Sequence, residues 1–513
     1  MFIIKYCLSL LAFAGLGLLT GCATVPADRG FSDVQSLLTA RGGPRLSAPV
    51  TGTDADAASG QPDALIQNLL DKTLSAQDAI RIALLRNPRL QAEYARLGIA
   101  SSAVLEAGRL SNPVFSVSAL RPNAAAETTQ LTLGLAQNFA DLLMLPSRQR
   151  LAAGEFERSK VDVGGNILTL AAEVESAYYT LIGAQQVAAM RHEVTRAAQV
   201  SSDLAQRFFD AGNITALALN LEQAAAAQAQ LDALSADAQA VDARAALNVL
   251  MGLPASETRW SVPDRLPLPP DEDSDPADLQ KLASDNRLDL AAARKEVALL
   301  KDGLGVARTY RWLGSVDLGV VHERETSGAT LTGPTLSLQL PLFNQHQGGL
   351  LLALSQLEMA EARREALEIE ISNEVALASA RAQTAHQAAA LYRTRLLPLR
   401  ERIVAHTQQR ANYMLTSAFD LIRTRQEEYA ADQAYLEAVR DDWLARAALS
   451  RAVGTQLPGA AKPADNNAGP EDMQKQVPME QMDMKNMKDM KSAGPSTPPD
   501  PDAGHQHIHG EQP

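Results

Sequence analysis

Cysteine is nearly absent from this chain: among its 513 residues only Cys7 and Cys22 are cysteines. Cys7 falls in an N-terminal segment read below as cleaved. One thiol then remains, which excludes a disulfide framework, a thiolate zinc site and a catalytic cysteine. Aromatic residues are scarce as well, 4% of the chain against 46% apolar residues in all. The apolar content is therefore mostly Ala, Leu and Val, the mix of long, closely packed helices rather than of a sandwich or a barrel enzyme. Positive charge is in deficit. The net charge is −13 at pH 7, which argues against a nucleic-acid partner, since that calls for a basic face. The body has no Gly-rich phosphate loop, no GxSxG and no paired metal-ligand motif. His192, His322, His346, His386 and His406 are scattered without a HExxH-like partner, and are read as structural or solvent-exposed. The chain is read as not an enzyme, with no required cofactor.

What is present begins at the N-terminus. Lys5 precedes an apolar run from Leu8 to Leu19, and Leu19-Thr20-Gly21-Cys22 follows. The run is short for a bilayer span and reads as a cleaved signal over residues 1–21. An ordinary signal peptide or a buried anchor helix are the alternatives. The last four residues resemble the lipobox of bacterial lipoproteins. That resemblance implies a diacylglycerol on Cys22, with acyl chains such as palmitate, and Cys22 as the mature N-terminus. Ala23 in place of an Asp favours, by the same resemblance, the outer membrane. Loss of Lys5 takes the net charge from −13 to −14.

Residues 22–73 are rich in Gly, Pro, Ala and Asp and read as an extended, lipid-tethered leader. A first repeat is expected over 74–254: helix about 76–110, alternating runs at 113–120 and 129–139, a long helix 147–210, a turn at Ala211-Gly212-Asn213, and a helix 215–251. A Pro- and Asp-rich linker covers 255–276. A second repeat over 277–454 has the same order: helix 277–310, strands at 314–323 and 331–341, a long helix 347–413, a turn, and a helix 418–453. Landmarks keep a nearly constant offset. Asn87-Pro88-Arg89-Leu90 matches Asn286-Arg287-Leu288, Gln137-Asn138-Phe139 matches Pro341-Leu342-Phe343, and Leu250-Met251-Gly252 matches Ala452-Val453-Gly454. Self-similarity of this kind marks a duplicated architecture.

The long helices carry narrow apolar stripes, with Val163, Ile167, Leu170, Val174 and Leu181 in one and Leu350, Leu354, Leu357, Leu367, Ile371 and Val375 in the other. Such helices pack side by side or cross a wide space. The strands alternate with period two: Leu131, Leu133 and Leu135 against Thr132, Gly134 and Ala136; Val316, Leu318 and Val320 against Asp317 and Gly319; Leu336, Leu338 and Leu340 against Ser337 and Gln339. Apolar-out, small-or-polar-in alternation over ~9–11 residues suits a membrane barrel wall. A half-buried soluble sheet alternates in the same way. Spanning barrels start at ~8 strands and a membrane does not tolerate an open sheet edge. Four strands per chain then require shared barrels, and three chains give twelve strands and a channel.

Helix–hairpin–long helix–helix, repeated twice after a lipobox, resembles the outer-membrane efflux (TolC-like) family over about residues 74–454. Leu74-Ser75-Ala76-Gln77-Asp78-Ala79-Ile80 with Arg86-Asn87-Pro88 is similar to its opening motif. Leu338-Gln339-Leu340-Pro341-Leu342-Phe343-Asn344 resembles its strand-to-helix return, and Phe209-Asp210-Ala211-Gly212-Asn213-Ile214-Thr215 its first helix-to-helix turn. The resemblance implies a mainly α protein with a small β part, a homotrimer whose twelve-strand barrel continues as a periplasmic α-helical tunnel. It also implies a periplasmic adaptor and an inner-membrane pump as partners. The turns at 210–216 and 414–420 would form the inner tip, with Gly212, Asn213, Thr416, Ser417 and Asp420 as gate residues. The second turn, Tyr413-Met414-Leu415-Thr416-Ser417, lacks the usual Gly and reads as shorter. An acidic ring at Asp420 would attract cations; an N-cap of the last helix is the alternative reading of Asp420. The surroundings of Asn412-Tyr413-Met414 and Asp441-Asp442-Trp443-Leu444-Ala445-Arg446 resemble a copper-resistance subgroup.

Residues 455–513 change character and are expected to be disordered. Six of the chain's twelve Met lie there, at Met473, Met479, Met482, Met484, Met487 and Met490, with His505, His507 and His509. Thioethers suit Cu(I) and, by the same softness, Ag(I); imidazole also suits Cu(II) and Zn. The tail residues Met479, Met482, Met484, Met487, Met490, His505, His507 and His509 are therefore candidate ligands for a metal cargo. The alternatives are an amphipathic Met-bearing helix that docks on the trimer, or a bias without function. The sequence thus points to an outer-membrane duct exporting copper or silver, with two alternatives. One is the same duct carrying drugs or other small molecules; the other is a periplasmic coiled-coil scaffold lipoprotein.

Overall fold

The computed structural model describes residues 28–46, 60–121, 123, 128–257, 259–270 and 276–457. The chain divides into two units, Met1–Ala460 and Ala461–Pro513, and all described residues lie in the first. The signal segment, Cys22 and the Met- and His-bearing tail lie outside the described residues.

Two helices open the described chain, α1 (Phe31–Thr39) and α2 (Gly60–Leu70). The first repeat follows as α3 (Ala76–Arg86), α4 (Pro88–Ala107), β1 (Val114–Leu120), β2 (Gln130–Asn138), α5 (Ala140–Asp210) and α6 (Ala216–Met251). The second has the same order: α7 (Pro276–Asn286), α8 (Leu288–Tyr310), β3 (Val316–Arg324), β4 (Thr330–Leu338), α9 (Gln347–Leu391), a π turn (Tyr392–Leu396), α10 (Leu397–Asn412) and α11 (Ala418–Val453). The π turn falls where Pro398, lacking an N–H and crowding the preceding turn, cannot continue an undisturbed i→i−4 ladder.

α5 is the spine of the unit. Its 71 residues span on the order of 100 Å at ~1.5 Å per residue. Its predicted stripe Val163, Ile167, Leu170, Val174 and Leu181 is buried throughout. The stripe in α9 is buried only at Ile371 and Val375; Leu350, Leu354, Leu357 and Leu367 are half-buried. The expected helix over 76–110 is broken, because the residue before a proline avoids the α region. Asn87 sits at φ −66, ψ 120, ending α3 and capping α4 through Arg89 N–H. The expected start at 147 is also moved: α5 begins at Ala140 and runs through Pro146, its first turn held by Asp141 N–H donating to Asn138 Oδ1 at 3.1 Å.

The leader departs from the expected extended tether. α1 buries Val34 and Leu38, α2 buries Ile66 and Leu70, and Lys160 Nζ, on α5, reaches Asp33 at 2.6 Å. Short i, i+4 pairs of apolar residues suffice for one-sided helices once α5 supplies a surface to α1 and α3 one to α2. The linker is likewise no free tether in its described part. Trp260, Val262 and Leu266 are buried. Trp260 Nε1 donates to Asn248 Oδ1 at 3.1 Å, Leu266 N–H to Gln186 Oε1 at 3.1 Å, and Trp443 Nε1 to the Pro267 carbonyl at 2.8 Å. The segment straps the end of α6 to α5 and α11.

Candidate functional site

The two hairpins join into one antiparallel sheet of order β1-β2-β3-β4. Residues paired across an antiparallel ladder share a face, and neighbours along a strand alternate. The registers Phe115↔Leu135↔Val320↔Pro334 and Val117↔Leu133 therefore build one face, joined by Val316↔Leu338 and Leu318↔Leu336. The registers Ser116↔Gly134↔Val321↔Gly333, Ala136↔Gly319↔Thr335 and Asp317↔Ser337 build the other. The first face is apolar yet open to its surroundings: Phe115, Val320 and Leu336 are 65%, 53% and 61% exposed. The second is mostly small and polar, with Val114, Leu120, Val321 and Leu331 the larger apolar residues on it. The outer strands β1 and β4 each have a free edge among the described residues. No described helix is long and apolar enough to cross a membrane, a criterion that does not address strands.

At the other end of the helices, two turns close the long pairs. α5 ends at Asp210 and α6 starts at Ala216; α10 ends at Asn412 and α11 starts at Ala418. The two gaps are equal, so the second turn is not shorter than the first. Both are Schellman turns. Gly212 N–H donates to Phe209 O and Asn213 N–H to Phe208 O, each at 2.8 Å; Met414 N–H donates to Ala411 O and Leu415 N–H to Arg410 O, each at 2.9 Å. The left-handed position is Gly212 (φ +73) in one and Met414 (φ +58) in the other. The missing Gly is visible in the sequence; that Met414 adopts the strained conformation in its place is not.

The expected gate residues sit in these turns. Gly212 and Asn213 are exposed. Thr215 caps α6 by accepting Ala218 N–H. Ser417 caps α11, so Asp420 is not the cap itself but its reciprocal partner. Asp420 Oδ2 accepts from Ser417 Oγ at 2.7 Å, Ser417 N–H at 3.2 Å and Thr416 Oγ1 at 3.0 Å. These hydrogen bonds, chiefly that of the Ser417 hydroxyl, hold its carboxyl below the ordinary range. The carboxylate remains exposed and charged.

The turns meet through Phe208 and Phe419, whose rings are 6.0 Å apart and edge-on. Beyond them Tyr413, Met414 and Leu415 stand open, Met414 93% exposed. Neither feature is visible in the spacing of polar turn residues. Farther up α11, burial pushes the Asp432 carboxyl up to about 6, with Glu428 and Glu401 adding to the rise and Arg425 opposing it.

The scattered histidines have separate places. His386 Nδ1 lies 3.0 Å from Oδ2 of the fully buried Asp442, whose Oδ1 accepts from Arg446 at 3.0 Å. His192 pairs with Asp237, His322 with Thr332, and His346 with the Arg311 carbonyl; His406 is exposed. Among the described residues no three His, Cys, Asp or Glu could hold one metal ion.

The family model described as outer membrane efflux protein matches residues 79–253 and 279–455, one match on each repeat. The chain belongs to the outer membrane efflux protein family. A search of curated protein sequences finds no match. Among solved structures the chain is similar to the outer-membrane channel OprN, at 20% identity and a TM-score of 0.61, covering 80% of this chain and 98% of that one. It is similar to CusC at 17% and 0.57, covering 77% and 92%. It is also similar to the outer membrane protein VceC of Vibrio cholerae at 16% and 0.59, covering 78% and 97%. At these identities the likeness concerns the fold.

Proposed function

We propose that this chain is one protomer of a trimeric outer-membrane exit duct of a tripartite efflux pump, anchored through a lipid on Cys22. The observation that carries the reading is the sheet. Its apolar face is exposed and its opposite face is mostly small and polar, which suits a wall between lipid and water. Its two free edges forbid a membrane position for one chain alone, because unpaired backbone groups in hydrocarbon cost several kcal/mol each (roughly, per group). Pairing β1 of one protomer with β4 of the next closes twelve strands around a water-filled lumen. The helices then continue the lumen into the periplasm, and the two turns form its inner end, where an adaptor and an energised pump would act. No bond is made or broken; the solute moves through water.

The cargo proposed is copper or silver ions, from the soft thioether and imidazole side chains of residues 473–509. Export of small organic molecules through the same duct is the second reading, since the metal cargo rests on the tail residues alone. The test is growth of a deletion strain carrying the full-length protein or a version truncated after Gly459, on copper, silver, zinc and a lipophilic dye. Hypersensitivity to copper or silver alone supports the metal duct, and the truncated version reports on the tail. Sensitivity only to dye overturns the metal cargo. No phenotype on any agent overturns the duct in favour of a scaffold.

A further inference from the structure

The exposed face of the sheet changes chemistry along its length. From Val316 and Leu338 through Leu318, Val320, Leu135 and Leu133 it is apolar. Toward the hairpin loops the same face carries His322, paired with Leu133 and Thr332, and then Arg324, paired with Leu131 and Thr330. Arg121 follows β1 at the same end and is exposed. Glu323 lies on the opposite face, its carboxylate accepting from the Gln130 side chain. The pleat thus sorts His322 and Arg324 to the apolar face and Glu323 to the other. The helix end of the sheet differs: there Trp312 and Phe343 stand exposed, Trp312 under the Arg311 guanidinium at 4.4 Å.

Among the described residues neither Arg324 nor Arg121 has an ion pair or side-chain hydrogen bond. His322 Nδ1 lies 2.7 Å from Thr332 Oγ1, and no described residue partners Nε2. An arginine on the lipid face costs ~2–4 kcal/mol at the midplane and only ~0–1 near an interface, so this rim suits headgroup depth. A guanidinium fork matches a phosphate with two parallel hydrogen bonds. Leu131, Leu133 and Val320 lie directly beside and below, where acyl chains of the same molecule would run.

We infer that Arg324, with His322 and Arg121, forms a site for the phosphate of an outer-leaflet glycolipid headgroup. The inference rests on the proposed function, in which this face meets lipid and the hairpin loops face outward. The occupant is a lipid rather than a soluble anion because the cations continue an apolar face.

The test uses the full-length protein in detergent with an equal mixture of diphosphorylated lipid A and its dephosphorylated form. Native mass spectrometry counts lipid retained per assembly. Wild type is expected to retain the phosphorylated form preferentially. R324Q should weaken that retention about tenfold, the equivalent of ~1.4 kcal/mol for a charge-assisted contact. R324K should fall between, and E323Q on the opposite face should match wild type. Equal retention of the two lipids by wild type, or unchanged retention by R324Q in an intact assembly, overturns the site while leaving the duct standing. If R324Q fails to assemble, R324K decides, since it keeps the charge and loses the fork. Failure of wild type to enter a bilayer overturns the membrane-wall reading and this site with it.

Discussion

The Asn87 side-chain amide donates to the Leu250 carbonyl at 2.7 Å, and in the second repeat Arg287 Nη1 donates to the Ala452 carbonyl at 3.0 Å. Each accepted carbonyl stands two residues before a left-handed glycine, Gly252 (φ +69) or Gly454 (φ +75). A Cβ on Gly252 would lie 2.7 Å from the Arg86 carbonyl oxygen. Both repeats therefore close by one joint, a helix break packed on the end of the last helix. Asn87→Ala removes this half-buried hydrogen bond together with the cap that accepts from Arg89 N–H, and should cost ~1–3 kcal/mol. Gly252→Ala adds left-handed strain of ~1–2 kcal/mol to a backbone collision and should be worse. Thermal unfolding of the purified protein should rank wild type above N87A above G252A.

The tip turns should respond oppositely to glycine exchange. Nothing lies within 4 Å of a Cβ on Gly212, so Gly212→Ala carries conformational strain alone, ~1 kcal/mol. Met414→Gly relieves that strain and, after the added freedom of the unfolded glycine, should stabilise its turn by up to ~1 kcal/mol. Hydrogen exchange at the backbone of 208–216 and 410–418 reads each turn separately.

The Phe208–Phe419 contact should hold the two turns together. A double-mutant cycle with Ala at each position should give a coupling of ~0.5–1.5 kcal/mol. If the turns close the duct at rest, either single variant should admit more of a large antibiotic into cells lacking the pump. Unchanged uptake with a measurable coupling would separate packing from closure.

The two sheet faces should differ in tolerance to charge. Val320→Lys or Leu336→Lys places an ammonium on the apolar face and should cost ~2–4 kcal/mol if that residue reaches the bilayer midplane. Loss of assembled protein from the membrane fraction is the expected result. Thr335→Lys, on the small polar face, should assemble as wild type does.

Asp432 should make stability depend on pH in mild acid. Its carboxyl is raised from 3.8 to about 6 in the fold, so the folded state holds the proton more tightly than the unfolded chain. Its contribution is fully present below about pH 4 and is lost as pH rises toward and through about 6. Asp432→Asn should flatten that part of a Tm-against-pH profile and match or exceed wild type at pH 7.5.

Much of this was readable because it is local. Period-two alternation at Leu131, Leu133 and Leu135 needs only neighbouring residues to declare a strand and its apolar face, and the stripe from Val163 to Leu181 declares a buried helical seam. Duplication was legible through landmarks such as Leu250-Met251-Gly252 and Ala452-Val453-Gly454, since equivalent joints need similar residues. Other features depend on what a segment meets. The leader reads as a tether until α5 offers Val34 and Leu38 a surface. The linker reads as free until Trp260 finds Asn248 and Trp443 finds Pro267. Met414 takes a conformation that its own side chain disfavours, because the packed helices on either side dictate the turn. Phe208 and Phe419 lie far apart in the chain and meet only because α5 and α11 run side by side. Hydrophobic periodicity is encoded residue by residue, whereas these contacts arise only when the helices pack, and packing decided them.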